Sequence, residues 1–369
     1  MATDKPPLFQ TYLYIVYGNR VIEKVSSRRQ FMADVYYGLA GSPVSHSLSP
    51  VLINIVAQHL SQVLPKGDKF SLVATDLIDA KFIQDALAWG YVKSTPNPID
   101  WDLTGAPFGK FRNRALMQKV LDSTIAVKES FSELTKEERL DYNSLLPFKC
   151  DVKLPTKSFT EEVWINLTYP LKHQLKSPAV VDFNHSSSIE SVNVLRFDGF
   201  GWWSSNVDGS GFVRVAEYFG INVASGACLG IIGGGGAARS TAHTWQMIGG
   251  TVKAFGGKRD LNDYDWFNGA DTADRTCDVL VNFDDDSYPE DITVSGFRIK
   301  SQYHPINGES TDRVAALKTK DVDGRWLLAA QHLESWSQLW APQFKDYLPS
   351  LDLLITKLIQ AETILASYA

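Results

Sequence analysis

The sequence predicts an α/β protein with mostly parallel sheets, because segments typical of strands alternate with segments typical of helices. Residues 35–41 form a short apolar run that ends in glycine, as is typical of a buried parallel strand. The helix-like residues 49–64 follow, with Ser49 placed as the N-cap and Pro50 at the first helical position. Residues 228–257 then combine a strand, a glycine loop, a helix and a strand, which together make one βαβ unit.

Further segments fit the same alternation. Strands are expected at residues 11–18, 277–283 and 296–303, and residues 163–170 are expected to form a strand that runs into a Pro turn. Residues 191–209 predict a strand, a tight turn and a second strand that ends in a polar motif. Helices are expected at residues 81–92, 114–127, 211–219, 326–342 and 350–368. Gly220 should end the third of these helices. Residues 65–160 carry the weakest pattern, with a capping box at Thr135 and Glu138 but little apolar surface beyond it.

Length and composition indicate a globular protein of two domains. At 369 residues the chain is too long for one ordinary hydrophobic core. Hydrophobic residues make up 44% and charged residues 21%, which argues against disorder. The formal net charge of −6 offers no electrostatic basis for binding nucleic acid or an anionic membrane surface. Local groups must therefore hold any anionic ligand.

Cysteine usage and the N-terminal residues favour the cytoplasm. Cys150, Cys228 and Cys277 are widely spaced, so neither a disulfide framework nor a zinc or other metal site is expected. The N-terminus carries an Asp and two prolines where a signal peptide would have a basic and then an apolar run. Apolar stretches do not approach the roughly 20 residues that a membrane helix needs.

A glycine loop between a strand and a helix predicts a dinucleotide site. A pyrophosphate can approach the backbone where Cβ atoms are missing, and the following helix offers free N–H groups and the positive end of its dipole. The expected residues are Gly233, Gly234, Gly235, Gly236 and Ala237.

The end of the second strand of this unit predicts which dinucleotide binds. An NAD site has Asp or Glu there to accept a hydrogen bond from the ribose 2′-hydroxyl. Here two glycines are followed by Lys258 and Arg259, whose cationic groups are suited to pairing with a 2′-phosphate. The pattern therefore favours NADP, while Asp260 leaves NAD open.

Residues 41–50, GSPVSHSLSP, form a turn rich in small hydroxyl residues between a strand and a helix. Such a turn can aim several O–H and N–H donors at one anion. The string closely resembles the N-terminal signature of shikimate dehydrogenases, and further motifs of that family follow in the same order. They are INLTYPLK at 165–172, SVNVL around Asn193, SNVDGSGF at 205–212, GGGGAAR at 233–239, Tyr303 with Pro305, and Gln331.

The resemblance implies an N-terminal α/β substrate domain and a C-terminal Rossmann-like, doubly wound dinucleotide-binding domain. The substrate domain would comprise residues 1–205, with an insertion at about 65–160, and would be completed by residues 328–369. The NADP-binding domain would comprise residues 206–327. The active site would lie in the cleft between the two domains.

The resemblance also implies roles for individual residues. Lys172 and Asp208 would be the catalytic pair. Ser47 and Ser49, helped by Tyr303, would bind the substrate carboxylate. The groups that would hydrogen-bond ring hydroxyls are Thr168, Asn193 and Gln331. A lysine can move the hydroxyl proton while a hydride passes to or from the nicotinamide, and a neighbouring carboxylate orients it.

The chain departs from the family pattern mainly on its cofactor side. VNFDDDSYP at 281–289 stands where the family has Asn-Ala-Thr-Pro, and it brings Asp284, Asp285 and Asp286 close to the expected cofactor. Val207 replaces a threonine, and Lys300 falls where an aspartate is usual.

Three functional hypotheses follow. The first is an NADP(H)-dependent enzyme, monomeric or homodimeric, that acts on shikimate, quinate or a related cyclic hydroxy acid. The second is a paralogue in a specialised pathway that acts on an amino- or cyclitol-type analogue. The third is a non-catalytic protein that senses the same ligand. The survival of both members of the catalytic pair favours an enzyme.

Overall fold

The computed structural model describes residues 16–17, 20–21, 32–65, 68–93, 101–102, 110–111, 161–177, 179–184, 186–199, 201–303, 314–315, 317, 319 and 321–366. The strand expected at 11–18 is described at Val16–Tyr17 alone. The helix expected at 114–127, the capping box at Thr135 and Glu138, and Pro305 lie outside the described residues.

The strands of the described residues are β1 (Val16–Tyr17), β2 (Arg20–Val21), β3 (Met32–Gly41), β4 (Lys69–Asp79), β5 (Trp101–Asp102), β6 (Lys110–Phe111), β7 (Glu161–Leu167), β8 (Val180–Asp182), β9 (Val194–Phe197), β10 (Trp202–Ser205), β11 (Cys228–Ile232), β12 (Thr251–Ala254), β13 (Thr276–Asn282), β14 (Thr293–Lys300) and β15 (Asp321–Val322). The helices are α1 (Ser49–Val63), α2 (Ile83–Val92), α3 (Asp208–Tyr218), α4 (Gly236–Ile248), α5 (Gly324–Ser335) and α6 (Leu351–Ala366).

Two larger sheets organise the described part of the chain. The first has the order β4-β3-β7-β9-β10-β8, in which β4, β3 and β7 are parallel and β9 is antiparallel to both of its neighbours. The second has the order β12-β11-β13-β14-β15 and is parallel throughout. The predicted α/β class with mostly parallel sheets is therefore confirmed.

Side chains that alternate along the strands of the first sheet pack into two hydrophobic clusters, one on each face. Tyr37 and Leu39 of β3 pack in the cluster that contains α1 and the C-terminal helices. Ala40 of β3 and Ile165 of β7 pack on the other face, in the cluster that contains Trp89 of α2. This alternation is the two-residue period of a strand, and it covers both faces of the sheet with helices.

Two local details differ from the sequence-based expectation. The N-cap of α1 is Leu48, and Ser49 is the first helical residue, so the expected capping role of Ser49 was wrong. The N–H of Ser49 instead donates to Ser47 Oγ at 3.2 Å. The second difference is β4, which pairs with β3 along its whole length within a region that carried no clear sequence pattern.

The C-terminal part of the chain is bound to the first sheet through a buried ion pair. Arg196 of β9 donates to both carboxylate oxygens of Glu162 at 2.7 and 2.9 Å, and both side chains are at most 1% exposed. The guanidinium also donates to the carbonyl of Leu339 at 3.0 Å, and Trp164 donates to Glu162 at 2.7 Å. Trp164 in turn stacks on Trp340 with 5.3 Å between ring centroids.

No helix in the described part of the chain combines the length and the apolar character that a membrane crossing requires.

We expect Arg196→Met to lower the free energy of unfolding by about 3 to 5 kcal/mol, because it leaves the Glu162 carboxylate buried without its cation. Chemical denaturation followed by tryptophan fluorescence measures this loss. Lys176→Ala breaks an exposed ion pair with Glu190 and serves as the control, with an expected loss below about 1 kcal/mol. Equal losses in the two variants would contradict the structural role of the buried pair.

Candidate active site

A cavity of about 570 Å³ lies at the carboxyl ends of β3 and β7, next to the first residue of α3. Loops that follow parallel strands meet at one edge of a sheet, so side chains far apart in the chain gather there. All of the sequence-predicted catalytic and substrate residues line this cavity: Ser47, Ser49, Thr168, Lys172, Asn193, Asp208, Tyr303 and Gln331.

Close backbone contact joins the loops after β3 and β7. Ser42 N donates to the carbonyl of Tyr169 at 2.8 Å, and Thr168 N donates to the carbonyl of Ala40 at 2.9 Å. A Cβ on Gly41 would lie 2.4 Å from Thr168 Cγ2, so a larger residue would push the loops apart. Glycine at this position therefore lets the two substrate-side motifs share one cavity wall.

The predicted acid/base pair is in direct contact. Lys172 lies in the short helical turn Leu171–His173 after β7, and its Nζ donates to Asp208 Oδ2 at 2.7 Å. The lysine side chain is 22% exposed and faces the cavity, whereas the Asp208 side chain is 2% exposed. One group of the pair can therefore reach a ligand while the other stays fixed within the protein.

Two amides hold the carboxylate of this pair in place. Asp208 Oδ1 accepts hydrogen bonds from Asn193 Nδ2 at 2.7 Å and from Gln331 Nε2 at 3.0 Å. Asn193 Oδ1 accepts from Val207 N at 2.9 Å, which fixes the orientation of that amide. Charge-assisted bonds of this kind are stronger than neutral ones. The arrangement can hold an ammonium group beside a ligand oxygen and exchange a proton with it.

Hydroxyl groups form the opposite part of the cavity. Tyr303 hydroxyl accepts a hydrogen bond from Leu48 N at 3.0 Å and donates to the carbonyl of His46 at 3.2 Å. Burial raises the pKa of Tyr303 to about 12, so the phenol keeps its proton as a donor. Ser47 and Ser49 lie beside it on the turn that leads into α1.

Three residues at or beside the cavity were missed by sequence reasoning. Asn166 lines the cavity, and its Oδ1 accepts a hydrogen bond from Tyr37 at 2.7 Å. Burial raises the pKa of Tyr37 far above its usual value. Asn166 opens the NLT motif, which could have identified it, whereas Tyr37 reads as an ordinary strand residue.

His332 is the third of these residues and follows Gln331 on α5. It lines the cavity, is 2% exposed, and packs against Tyr37 and Trp340. Neither of its ring nitrogens has a hydrogen-bond partner among the described residues. Burial lowers the pKa of His332 to about 3, so the ring is neutral in the folded protein.

The glycine loop lies beside the catalytic pair. A Cβ on Gly236 would lie 3.5 Å from Lys172 Cβ, so α4 begins close to the lysine. Gly233 has φ +102°, a conformation that favours glycine, and its N–H donates to the carbonyl of Gly256 at 2.7 Å. Open space surrounds the position of a Cβ on Gly235.

The N-terminus of α4 provides donors for an anion. Its first hydrogen bond runs from Arg239 N to Gly235 O at 2.9 Å, so the N–H groups of Gly236 and Ala237 have no partner within the helix. With the open space at Gly235, these donors fit the pyrophosphate of a dinucleotide.

Lys258 and Arg259 are exposed in the turn after β12. Lys258 N donates to Asp284 Oδ2 at 2.5 Å, and its Nζ lies 3.4 Å from the carbonyl of Asp284. The main chain of Arg259 covers Gly234, where a Cβ would lie 3.0 Å from the Arg259 carbonyl carbon and oxygen. The Lys258 ammonium and the main chain of Arg259 therefore lie at the rim of the glycine loop. Sequence reasoning had placed the Asp284 carboxylate only near the cofactor, and it lies next to Lys258.

No group of three or more His, Cys, Asp or Glu side chains in the described residues is arranged to hold a metal ion.

We expect His332→Phe to make folding less sensitive to acid. The pKa of the histidine is about 3 in the folded protein and about 6.5 in the unfolded chain. In the wild type the free energy of unfolding therefore decreases as the pH falls below about 6.5, because the unfolded chain binds a proton at this residue and the folded protein does not. At pH 5 the loss amounts to roughly 2 kcal/mol. Unfolding free energies at pH 8 and pH 5 measure it, and the pH 8 values isolate the effect of packing. If the free energy of unfolding decreases between pH 8 and pH 5 by the same amount in the variant as in the wild type, the result would contradict a buried, neutral His332.

Comparisons with known proteins found relatives that share one name. No family model matches the sequence. The chain is 28% identical over 195 residues to the shikimate dehydrogenase (NADP(+)) of Aeropyrum pernix, covering 46% of this chain and 70% of that protein. It is 26% identical over 203 residues to the protein of the same name from Halobacterium salinarum, covering 48% and 74%.

Solved structures of similar proteins include the shikimate 5-dehydrogenase of Thermus thermophilus in complex with NADP(H) and shikimate. Its sequence is 19% identical to this chain, the match covers 89% of this chain and 99% of that chain, and the TM-score is 0.49. The shikimate dehydrogenase of Aquifex aeolicus has 17% identity, coverage of 84% and 93%, and a TM-score of 0.48. The curated relatives match this chain over most of their own length at under 30% identity, so the chain is similar to shikimate dehydrogenases and divergent from them.

Proposed function

We propose that the protein is an NADP(H)-dependent oxidoreductase that transfers a hydride between the nicotinamide and a cyclic polyhydroxy carboxylate of the 3-dehydroshikimate/shikimate or quinate type. The observation that carries this proposal is the 2.7 Å contact between Lys172 and Asp208 on the wall of a cavity lined by hydroxyl groups. The names of the relatives from Aeropyrum pernix and Halobacterium salinarum, both shikimate dehydrogenase (NADP(+)), support the same activity.

Lys172 serves as the acid/base group. When bound, the nicotinamide supplies or accepts the hydride at its C4. In the oxidising direction the ring hydroxyl loses its proton to the lysine amine, and in the reducing direction the ammonium returns a proton to the new alkoxide oxygen. The ammonium form also stabilises negative charge as it develops on that oxygen.

Asp208 fixes the lysine for this proton transfer. Three donors hold its carboxylate, namely Lys172, Asn193 and Gln331. A carboxylate held in this way keeps Nζ in one position. Because neither group has to move during the reaction, the activation barrier contains no cost for positioning the lysine.

The remaining polar groups orient the substrate. Ser47, Ser49 and Tyr303 bind the carboxylate, and the uncharged phenol of Tyr303 turns its one proton from the carbonyl of His46 to the ligand. Thr168, Asn193 and Gln331 bind ring hydroxyls. Since buried donors and acceptors without partners are costly, this set selects ligands with hydroxyls at matching ring positions.

The glycine loop, with Ala237, binds the pyrophosphate, and Lys258 and Arg259 bind the 2′-phosphate at its rim.

We also propose the division into a substrate domain of residues 1–205 plus 328–369 and a cofactor domain of residues 206–327. The ion pair that joins Glu162 and Arg196 to the C-terminal Leu339 supports the return of the chain to the first domain.

A substrate panel tests the activity. Purified protein is assayed with NADPH or NADH against 3-dehydroshikimate and 3-dehydroquinate, and with the oxidised cofactors against shikimate, quinate and their amino analogues. Turnover of shikimate or quinate with NADP(H) supports the proposal. Turnover of an amino analogue alone favours a specialised paralogue. Ligand binding without any turnover favours a sensor and rejects the proposed activity.

We expect Lys172→Ala to lower kcat by roughly 10²- to 10⁴-fold while the Kd for NADPH changes less than about threefold, because the lysine acts on the ring oxygen. Initial rates and tryptophan fluorescence quenching measure the two quantities. Lys176→Ala removes an exposed ammonium four residues away and should retain the wild-type rate. A Lys172→Ala variant that folds normally and keeps more than a tenth of the rate would reject the assignment.

A further inference from the structure

The end of β12 lacks the side chain that usually binds the adenosine ribose. In a dinucleotide-binding βαβ unit an acidic residue at this point accepts a hydrogen bond from the 2′-hydroxyl. Here the strand ends at Ala254, and the turn continues through Gly256 and Gly257. Glycines cannot supply that carboxylate.

Asp284 fills the space that these glycines leave. A Cβ on Gly257 would lie 2.6 Å from Asp284 Oδ2, and a Cβ on Gly233 would lie 3.0 Å from Asp284 Oδ1. Asp284 follows β13, which pairs with β11 on the side opposite β12. The carboxylate therefore reaches across the end of β11 to the place where the side chain of residue 257 would stand.

Hydrogen bonds fix the turn after β13, and the main chain after β12 holds the carboxylate of Asp284. Asp284 N donates to Asn282 Oδ1 at 2.9 Å, and Asn282 Nδ2 donates to Asp285 Oδ1 at 2.9 Å and to Ser287 O at 2.8 Å. Asp284 Oδ2 accepts from Lys258 N at 2.5 Å, whereas its Oδ1 accepts no hydrogen bond from the described residues. Oδ2 is thus anchored to the main chain after β12, while Oδ1 lies against Gly233 with no hydrogen-bond partner among the described residues.

We propose that Asp284 is the ribose-binding acid of this protein, supplied by the turn after β13 in place of a residue at the end of β12. The inference rests on the proposed function, since it requires a nicotinamide dinucleotide on the glycine loop. The carboxylate accepts from the 2′-hydroxyl of NAD(H) and repels the 2′-phosphate of NADP(H), which Arg259 and Lys258 attract. Asp284 therefore sets the ratio of the two affinities, and the site takes NAD(H) as well as NADP(H).

The test compares the Kd values of NADH and NADPH for the wild type and for Asp284→Asn, measured by fluorescence quenching without substrate. The asparagine side chain has nearly the same shape as that of aspartate, and its amide oxygen can still accept the hydrogen bond from Lys258 N. We expect its affinity for NADPH to rise and its affinity for NADH to fall, so that the ratio of the two Kd values shifts roughly tenfold or more.

Asp291→Asn is the matched control. It removes the same charge from the same sheet, but Asp291 pairs with Arg275 just before β14, at the edge away from the glycine loop. The ratio should stay within twofold of the wild type. If the ratio of the two Kd values in Asp284→Asn also stays within twofold of the wild-type ratio, the inference is overturned, whereas the proposed function is unaffected. Failure of both dinucleotides to bind the wild type would instead reject the proposed function.

A measurement on the wild type keeps the inference testable if Asp284→Asn does not fold. NADH and its 2′-deoxyadenosine analogue differ in the one hydroxyl that Asp284 would bind. We expect the analogue to bind at least about fivefold more weakly, because it leaves the anchored carboxylate without that donor. Equal affinities would overturn the inference.

Discussion

The contact between Lys172 and Asp208 is the constraint on which the rest of the site depends. These residues are 36 positions apart and follow different strands of the first sheet, β7 and β10, with β9 between them. Asp208 is also the first residue of α3, which packs against α4 and α5. The ion pair therefore lies where the first sheet meets the helices that accompany the second sheet, and any shift between these layers would separate the two groups.

Under the proposed function, an acidic protein has to hold an anionic ligand. With a net charge of −6, the whole molecule repels anions, so attraction has to come from groups at the site. Asp208 accepts three hydrogen bonds, and in the proposed function the hydroxyls near Tyr303 bind the substrate carboxylate while Lys172 faces the reacting ring oxygen. The fixed amides of Asn193 and Gln331 serve two purposes, since they orient Asp208 and also border the cavity.

The two halves of the site have diverged to different extents. The substrate side keeps its motifs, and the structure gathers them around one cavity. The cofactor side keeps a glycine loop with positive φ at Gly233, but the turn after β13 brings a carboxylate against it. His332, next to Gln331, adds to the cavity a neutral ring whose nitrogens have no hydrogen-bond partner among the described residues. The contact between Lys172 and Asp208 is formed beside both of these features.

Local sequence patterns were sufficient for most of the secondary structure, because strand and helix periods and glycine stops depend on neighbouring residues. They predicted β3, β7, β11, α4 and the end of α3 near Gly220, and family motifs supplied the residues that line the cavity. They missed β4 and misplaced the N-cap of α1 by one residue. Tertiary structure alone decided that Tyr37 contacts Asn166, that Gln331 contacts Asp208 and that Asp284 covers the glycine loop. The physical reason is that such contacts join residues up to 129 positions apart, and packing rather than local propensity determines which side chains meet.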